Sequence, residues 1–314
     1  MILSILILCV SLFFIVKGAN WFTDASVGIA KIARVPKIII GASIVSFATT
    51  LPEFSVSTFS SAMRHTDMAF GNAIGSCTFN IGFILGLSWL IGAKTFYQKT
   101  ELQTKLTFMI GSGILALLLS IGFRISRVDG LIFILVLIFY CFYITKIIKG
   151  RPLEVSPLDI EVKLRSMRSE VLLFILGAAC VVGGSKGLVK SGIDIARALG
   201  VSELVIGLTI VAGGTSLPEL ATAITSLVKG HHELSMGNII GASFLDIVWV
   251  LGVASIIRPL KISYQSIIYD LPVMLLVMVA TAIFVRLPKF PARLKGAVIL
   301  LIYGVYVFSL FYKV

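Results

Sequence analysis

Two stretches of the 314-residue chain decide its reading: residues 41–63, GASIVSFATTLPEFSVSTFSSAM, and residues 207–228, GLTIVAGGTSLPELATAITSLV. Each is apolar over a length that can span a bilayer, and each is interrupted by Pro-Glu, at Pro52-Glu53 and at Pro218-Glu219. Proline lacks the backbone donor and clashes with the carbonyl four residues earlier, here Ala48 and Gly214. Both helices should break there, exposing carbonyls around Ser46 to Thr49 and around Gly213 to Ser216. Irregular backbone at membrane depth survives only where protein or a cavity surrounds it. Paired broken helices at corresponding positions mark the substrate site of secondary transporters.

The rest of the chain fits a membrane setting. Hydrophobic residues make up 58% and charged residues 13%, with a mean hydropathy of +1.04, which excludes a soluble enzyme. Apolar runs predict an all-α polytopic membrane protein of ten transmembrane helices, near 1–29, 37–63, 68–92, 104–123, 129–148, 169–198, 203–228, 233–256, 267–285 and 292–312. The net charge of +12 sits in the gaps between runs, where it sets topology and meets anionic lipid, so no nucleic-acid partner is expected. Cys9, Cys77, Cys141 and Cys180 lie in apolar segments without metal or disulfide spacing and read as small buried hydrophobes. The N-terminus lacks a basic leader and a cleavage site and reads as the first span.

The two halves repeat. One offset of 166 residues places Gly18 on Gly184, Ala30 on Ala196, Val35 on Val201 and Gly41 on Gly207. It also places Leu51-Pro52-Glu53 on Leu217-Pro218-Glu219, Gly71-Asn72 on Gly237-Asn238, and Leu85-Gly86 on Leu251-Gly252. The organisation is a five-helix repeat over 1–148, a polar linker over 149–168, and a second five-helix repeat over 169–314. Five is odd, so the second repeat must be inverted relative to the first. With the N-terminus outside, seventeen Lys and Arg fall in inner loops and seven in outer ones. This predicts a multi-pass cell-membrane protein with both termini outside and a cytoplasmic linker.

The polar residues in the spans fall on matched faces. Glu53 and Glu219 each follow the helix-breaking proline. Thr50-x-x-Glu53 and Ser216-x-x-Glu219 also fit a capping box, but a cap stabilises by only about 1 kcal/mol, too little to explain carboxyls placed twice at the bilayer centre. Asn72, Ser76 and Asn80 share one helix face, matched by Asn238, Ala242 and Asp246 in the second half. Asn72 and Asn238 have interhelical glue as their alternative reading. Thr49, Thr50, Thr215 and Ser216 add hydroxyls, giving an all-oxygen set that suits Ca²⁺ or Na⁺ rather than a transition metal. His65, His231 and His232 lie at loop ends and read as interfacial.

These residues resemble the cation/calcium exchanger superfamily, and within it the prokaryotic-type sodium/calcium exchangers. The resemblance rests on GASIVSFATTLPE with GNAIGSCTFN, and on GLTIVAGGTSLPE with GNIIGASFLD. It implies a central site of Glu53, Asn80, Glu219 and Asp246, with further ligands from Ser46, Thr49, Thr50 and Ser76, and from Ala212, Thr215 and Ser216. It implies an antiporter that exchanges Na⁺ for Ca²⁺ by alternating access as the first and sixth helices slide, with no cofactor and no obligate protein partner. Ala242 stands where the family often has a hydroxyl, so one Na⁺ site lacks an oxygen or takes water. An acid at Asp246 is also similar to the potassium-dependent exchangers, which leaves K⁺ or H⁺ coupling as the alternative. With two glutamates beside it, Asp246 is expected to serve as a neutral hydrogen-bonding group. A cation channel and an intramembrane enzyme are the remaining readings; a channel would more naturally assemble its pore from several subunits, and no nucleophile–base pair supports an enzyme.

Overall fold

A computed structural model describes residues 2–32, 45–92, 100–149, 166–228, 232–287 and 289–312. The described residues are almost wholly helical. In order, α1 spans Ile2–Ile32, α2 Val45–Thr49, α3 Leu51–Ala62, α4 Thr66–Ile91, α5 Thr100–Ser120, α6 Arg127–Lys149 and α7 Met167–Leu199. Then come α8 at Glu203–Thr215, α9 at Leu217–Val228, and α10 at His232–Leu245, which runs on through Asp246–Leu251 to Gly252–Ile257. Helices α11, Ser266–Arg286, and α12, Ala292–Tyr312, complete the order.

Among the described residues, eight helices are long and apolar enough to cross a membrane, and the bent pair α8–α9 makes a ninth. The count of ten is therefore not reached within them. The second expected span, 37–63, is described only from Val45 onward, as α2 and α3, and the linker 149–168 only at its ends. The chain is a multi-pass membrane protein. Leucine, isoleucine and phenylalanine on α1, α6 and α12, such as Leu6, Leu135, Phe142, Leu301 and Phe308, face outward, as a lipid environment requires.

Helices α4 and α10 are the enclosed pair at the centre. Their packing depends on small residues, which let helix axes approach closely. A Cβ on Gly71 would lie 2.7 Å from the Leu204 carbonyl oxygen, and one on Gly75 2.6 Å from Leu208 Cα, so α4 rests directly on the backbone of α8. On α10, Trp249 stacks on Phe54 at 4.4 Å between ring centroids and meets Phe47 edge-on at 5.0 Å.

Helix α1 lies along α7 through a second set of close approaches. A Cβ on Gly177 would come within 2.7 Å of the Gly18 carbonyl oxygen, and one on Gly184 within 2.9 Å of the Ser11 carbonyl oxygen. Under the 166-residue offset these contacts exchange places, since Gly18 corresponds to Gly184 and Ser11 to Gly177. The loops after α5 and α10 meet in a short antiparallel ribbon, β1 (Arg124–Ile125) with β2 (Leu260–Lys261), extended by the Ile262 N–H donating to the Phe123 carbonyl at 2.9 Å.

Candidate functional site

The broken helices are the scaffold of the site, and their two breaks have the same shape. Thr50 adopts φ −79°, ψ 1°, and Ser216, its counterpart, φ −83°, ψ 10°. Both angles fall in the sparsely populated bridge region, common for residues at active sites and turns. Across the second break the helix axis turns by 44°. Because Pro52 and Pro218 carry no N–H, the Ala48 and Gly214 carbonyls receive no ordinary helical bond from four residues ahead.

Capping does not explain the glutamates. Thr50 makes no side-chain cap; its hydroxyl turns back to the Ser46 carbonyl at 2.9 Å. The Ser216 hydroxyl reaches across to the other half and donates to Glu53 Oε1 at 2.9 Å. The carbonyls of Ser46 and Ala212 are occupied. Ser46 accepts from the Thr50 N–H at 3.1 Å and Thr49 Oγ1 at 3.3 Å; Ala212 accepts from the Ser216 N–H at 3.0 Å and Thr215 Oγ1 at 3.1 Å. Both helices stay intact one turn before their prolines, so the freed carbonyls lie later than this pair.

The matched helix faces come together as the spacing requires. Asn80 Nδ2 donates to Asp246 Oδ2 at 3.2 Å, joining residues related by the offset itself. Ser76 and Thr215 hydroxyls lie 3.3 Å apart, Thr215 Oγ1 is also 3.2 Å from Asn72 Oδ1, and the Ser46 hydroxyl donates to Asn238 Oδ1 at 3.2 Å. The two asparagines thus do make interhelical bonds. All of these side chains are buried, Glu53, Glu219, Asn80 and Asp246 completely.

Five buried oxygens of the central four residues have no hydrogen-bond partner among the described residues: Glu53 Oε2, both carboxyl oxygens of Glu219, Asn80 Oδ1 and Asp246 Oδ1. Buried polar atoms are ordinarily satisfied, and every exception on these four residues is an acceptor. Such a set invites a cation. No three His, Cys, Asp or Glu residues among the described ones gather closely enough to hold one metal ion by themselves. A bound cation must therefore draw on carboxyl oxygens together with amide, hydroxyl or carbonyl oxygens.

Three features were not read from the sequence. Helices α4 and α10 each widen into a π turn, Asn80–Leu85 and Asp246–Leu251, starting at the two central polar residues. One-turn π segments within α-helices frequently mark functional sites, and nothing in residue type announces them. Ser57, one turn beyond Glu53 on the same face, accepts from Asn72 Nδ2 at 2.9 Å, a link that its helical spacing could have suggested. His65 is not a bare interfacial residue: Nδ1 lies 2.8 Å from Glu203 Oε2, linking the start of α4 to α8. His232 lies at the start of α10 and His231 outside the described residues.

The inner membrane protein YrbG of Escherichia coli is 32% identical over 289 residues, covering 90% of this chain and 89% of its own. The sodium/calcium exchanger MaX1 of Methanosarcina acetivorans is 26% identical over 98% of this chain and 99% of its own. The solved structure of the sodium-calcium exchanger NCX_Mj, soaked with 2.5 mM Na⁺ and 10 mM Sr²⁺, aligns with a TM-score of 0.67 at 29% identity, covering 98% of this chain and 99% of that one. The family described as sodium/calcium exchanger protein matches residues 3–146 and again 169–312, the second segment beginning and ending 166 residues after the first. The chain belongs to the sodium/calcium exchanger protein family.

Proposed function

We propose that the protein is a secondary antiporter that exchanges Na⁺ for Ca²⁺ at the centre of the membrane. The observation that carries this reading is the set of five buried acceptor oxygens on Glu53, Asn80, Glu219 and Asp246 that find no partner among the described residues. Ca²⁺ takes six to eight oxygen ligands at about 2.3–2.6 Å, and the hydroxyls of Thr49, Thr50, Ser76, Thr215 and Ser216 stand beside the four to complete a shell. Buried carboxylates resist crossing the bilayer unless a cation neutralises them. Either one Ca²⁺ or several Na⁺ satisfy that condition, and an empty site does not. Exchange follows from this coupling, and a leak is suppressed by it.

The architecture under this reading is ten spans in two inverted repeats, 1–148 and 169–314, joined by the linker 149–168, with both termini outside. Two observations support it: the family matches each half separately, and the contacts between α1 and α7 exchange places under the offset. Alternating access then consists of α1 and α7 moving across a scaffold built on α4 and α10. The test is ⁴⁵Ca²⁺ uptake into Na⁺-loaded proteoliposomes. Saturable uptake that disappears when internal Na⁺ is replaced by choline is expected; uptake indifferent to Na⁺ would refute the exchange.

A further inference from the structure

The two arms of the site are not held alike. In the first half, Asn72 Nδ2 donates both to the Glu53 carbonyl at 3.1 Å and to the Ser57 hydroxyl at 2.9 Å. Ser57 in turn donates to the Ala69 carbonyl at 3.1 Å. These buried bonds lash the first turns of α3, which carry Glu53, onto α4. In the second half the offset replaces Ser57 by Ala223, which has no hydroxyl to offer. Asn238 Nδ2, the counterpart of the donor, is buried and has no hydrogen-bond partner among the described residues. The carboxyls differ in the same sense: Glu53 accepts from Ser216 at 2.9 Å, whereas neither oxygen of Glu219 receives a hydrogen bond of ordinary geometry among the described residues.

We propose that Asn72 and Ser57 are positioning residues that fix Glu53, and that Glu219, on the unlashed arm α9, is the ligand that reorients as the cation is captured and released. The proposal rests on the exchange reading above. A ligand held in its binding geometry lowers the cost of binding, and a ligand free to turn lowers the barrier to release. One fixed and one turning carboxylate give a site that both selects its ion and lets it go. The Asn238 Nδ2 donor, unmet among the described residues, has the same consequence: it favours conformations of α9 in which a partner is found.

The missing lash can be installed. Ala223→Ser places a hydroxyl 15 residues before Asn238, the spacing that separates Ser57 from Asn72. For one added hydrogen bond, the Ca²⁺ KM of Ala223→Ser is expected to fall about three- to tenfold, with the maximal rate falling alongside it. The shift must vanish when Asn238→Ala is added, and Ser57→Ala must move KM upward instead. Loss of expression or rate with an unchanged KM in Ala223→Ser and Ser57→Ala would mean that these positions only pack, and would overturn the proposal. Hydrogen exchange provides a readout independent of transport: in the wild type, amides at 219–223 should exchange faster than those at 53–57, and Ala223→Ser should slow them. Equal protection of the two arms overturns the asymmetry whatever the flux, while absent Na⁺-driven uptake with unequal protection overturns the exchange reading instead.

Discussion

Ser216 donates its hydroxyl to Glu53 across the centre of the molecule, at 2.9 Å, although the two residues belong to opposite halves of the chain. The break in the second half therefore supplies a group to the first half's carboxyl as well as presenting its own. Ser216→Ala removes a hydrogen bond to a charged group, which stabilises by about 1.5–3 kcal/mol, or roughly ten- to a hundredfold in affinity. Its Ca²⁺ KM, measured by initial uptake rates, is expected to rise within that range, while detergent-solubilised yield stays near wild type. An unchanged KM would detach Ser216 from the site.

Glu53→Gln and Glu219→Gln each remove one negative charge and leave the shape of the side chain. Loss of one partner in a buried ionic arrangement costs about 3–5 kcal/mol, equivalent to a hundredfold or more. Both variants are expected to reach the membrane and to lose nearly all Na⁺-driven Ca²⁺ uptake. Ordinary uptake by either would take that residue out of the site.

Asp246 is bonded to the Asn80 amide, and the first half does without an acid at the matching position. Asp246→Asn is therefore expected to retain substantial Na⁺-driven uptake with K⁺ absent from both sides. Should wild-type uptake demand K⁺, and the variant lose that demand, Asp246 is a charged K⁺ ligand and the potassium-dependent reading is the correct one.

Sidedness rests on the distribution of Lys and Arg. A single cysteine at Ser156, in a background lacking the four native cysteines, should react with an impermeant maleimide in inside-out vesicles and not in intact cells. The opposite pattern would invert the topology.

The approach of α1 to α7 leaves no room at Gly177, where a Cβ would meet the Phe22 amide nitrogen at 2.6 Å as well as the Gly18 carbonyl. Backbone cannot move aside as a side-chain tip can. Gly177→Ala should lower the thermal unfolding midpoint, in keeping with an overpacking penalty of about 1–3 kcal/mol. Gly183→Ala on the same helix, where a Cβ would meet nothing, is the matched control.

Much of this was legible because membrane chemistry restricts where carboxyls, prolines and glycines can stand. Pro52 and Pro218 announced two breaks, and the matched turns at Thr50 and Ser216 realise them. The offset alone paired Asn80 with Asp246, which the fold places in hydrogen-bonding contact. What the sequence hid depends on which of several equivalent partners a hydroxyl selects. Thr50 and Ser216 both had a local capping option; Thr50 turns back to Ser46 instead, and Ser216 crosses to the far half. The π turns were equally silent, because an extra residue per turn is a property of the hydrogen-bond ladder and of no particular side chain.

The ribbon of Arg124–Ile125 with Leu260–Lys261 closes by main-chain bonds what the covalent chain leaves open at that end of the molecule. Such bonds are indifferent to side-chain identity, so sequence drift at these four positions leaves the fastening in place. It works as a hasp: the ends of α5 and α10 are pinned, and neither half can swing away there like a door. The glycine-lined crossing of α1 and α7, by contrast, has the smooth, close surfaces of a bearing.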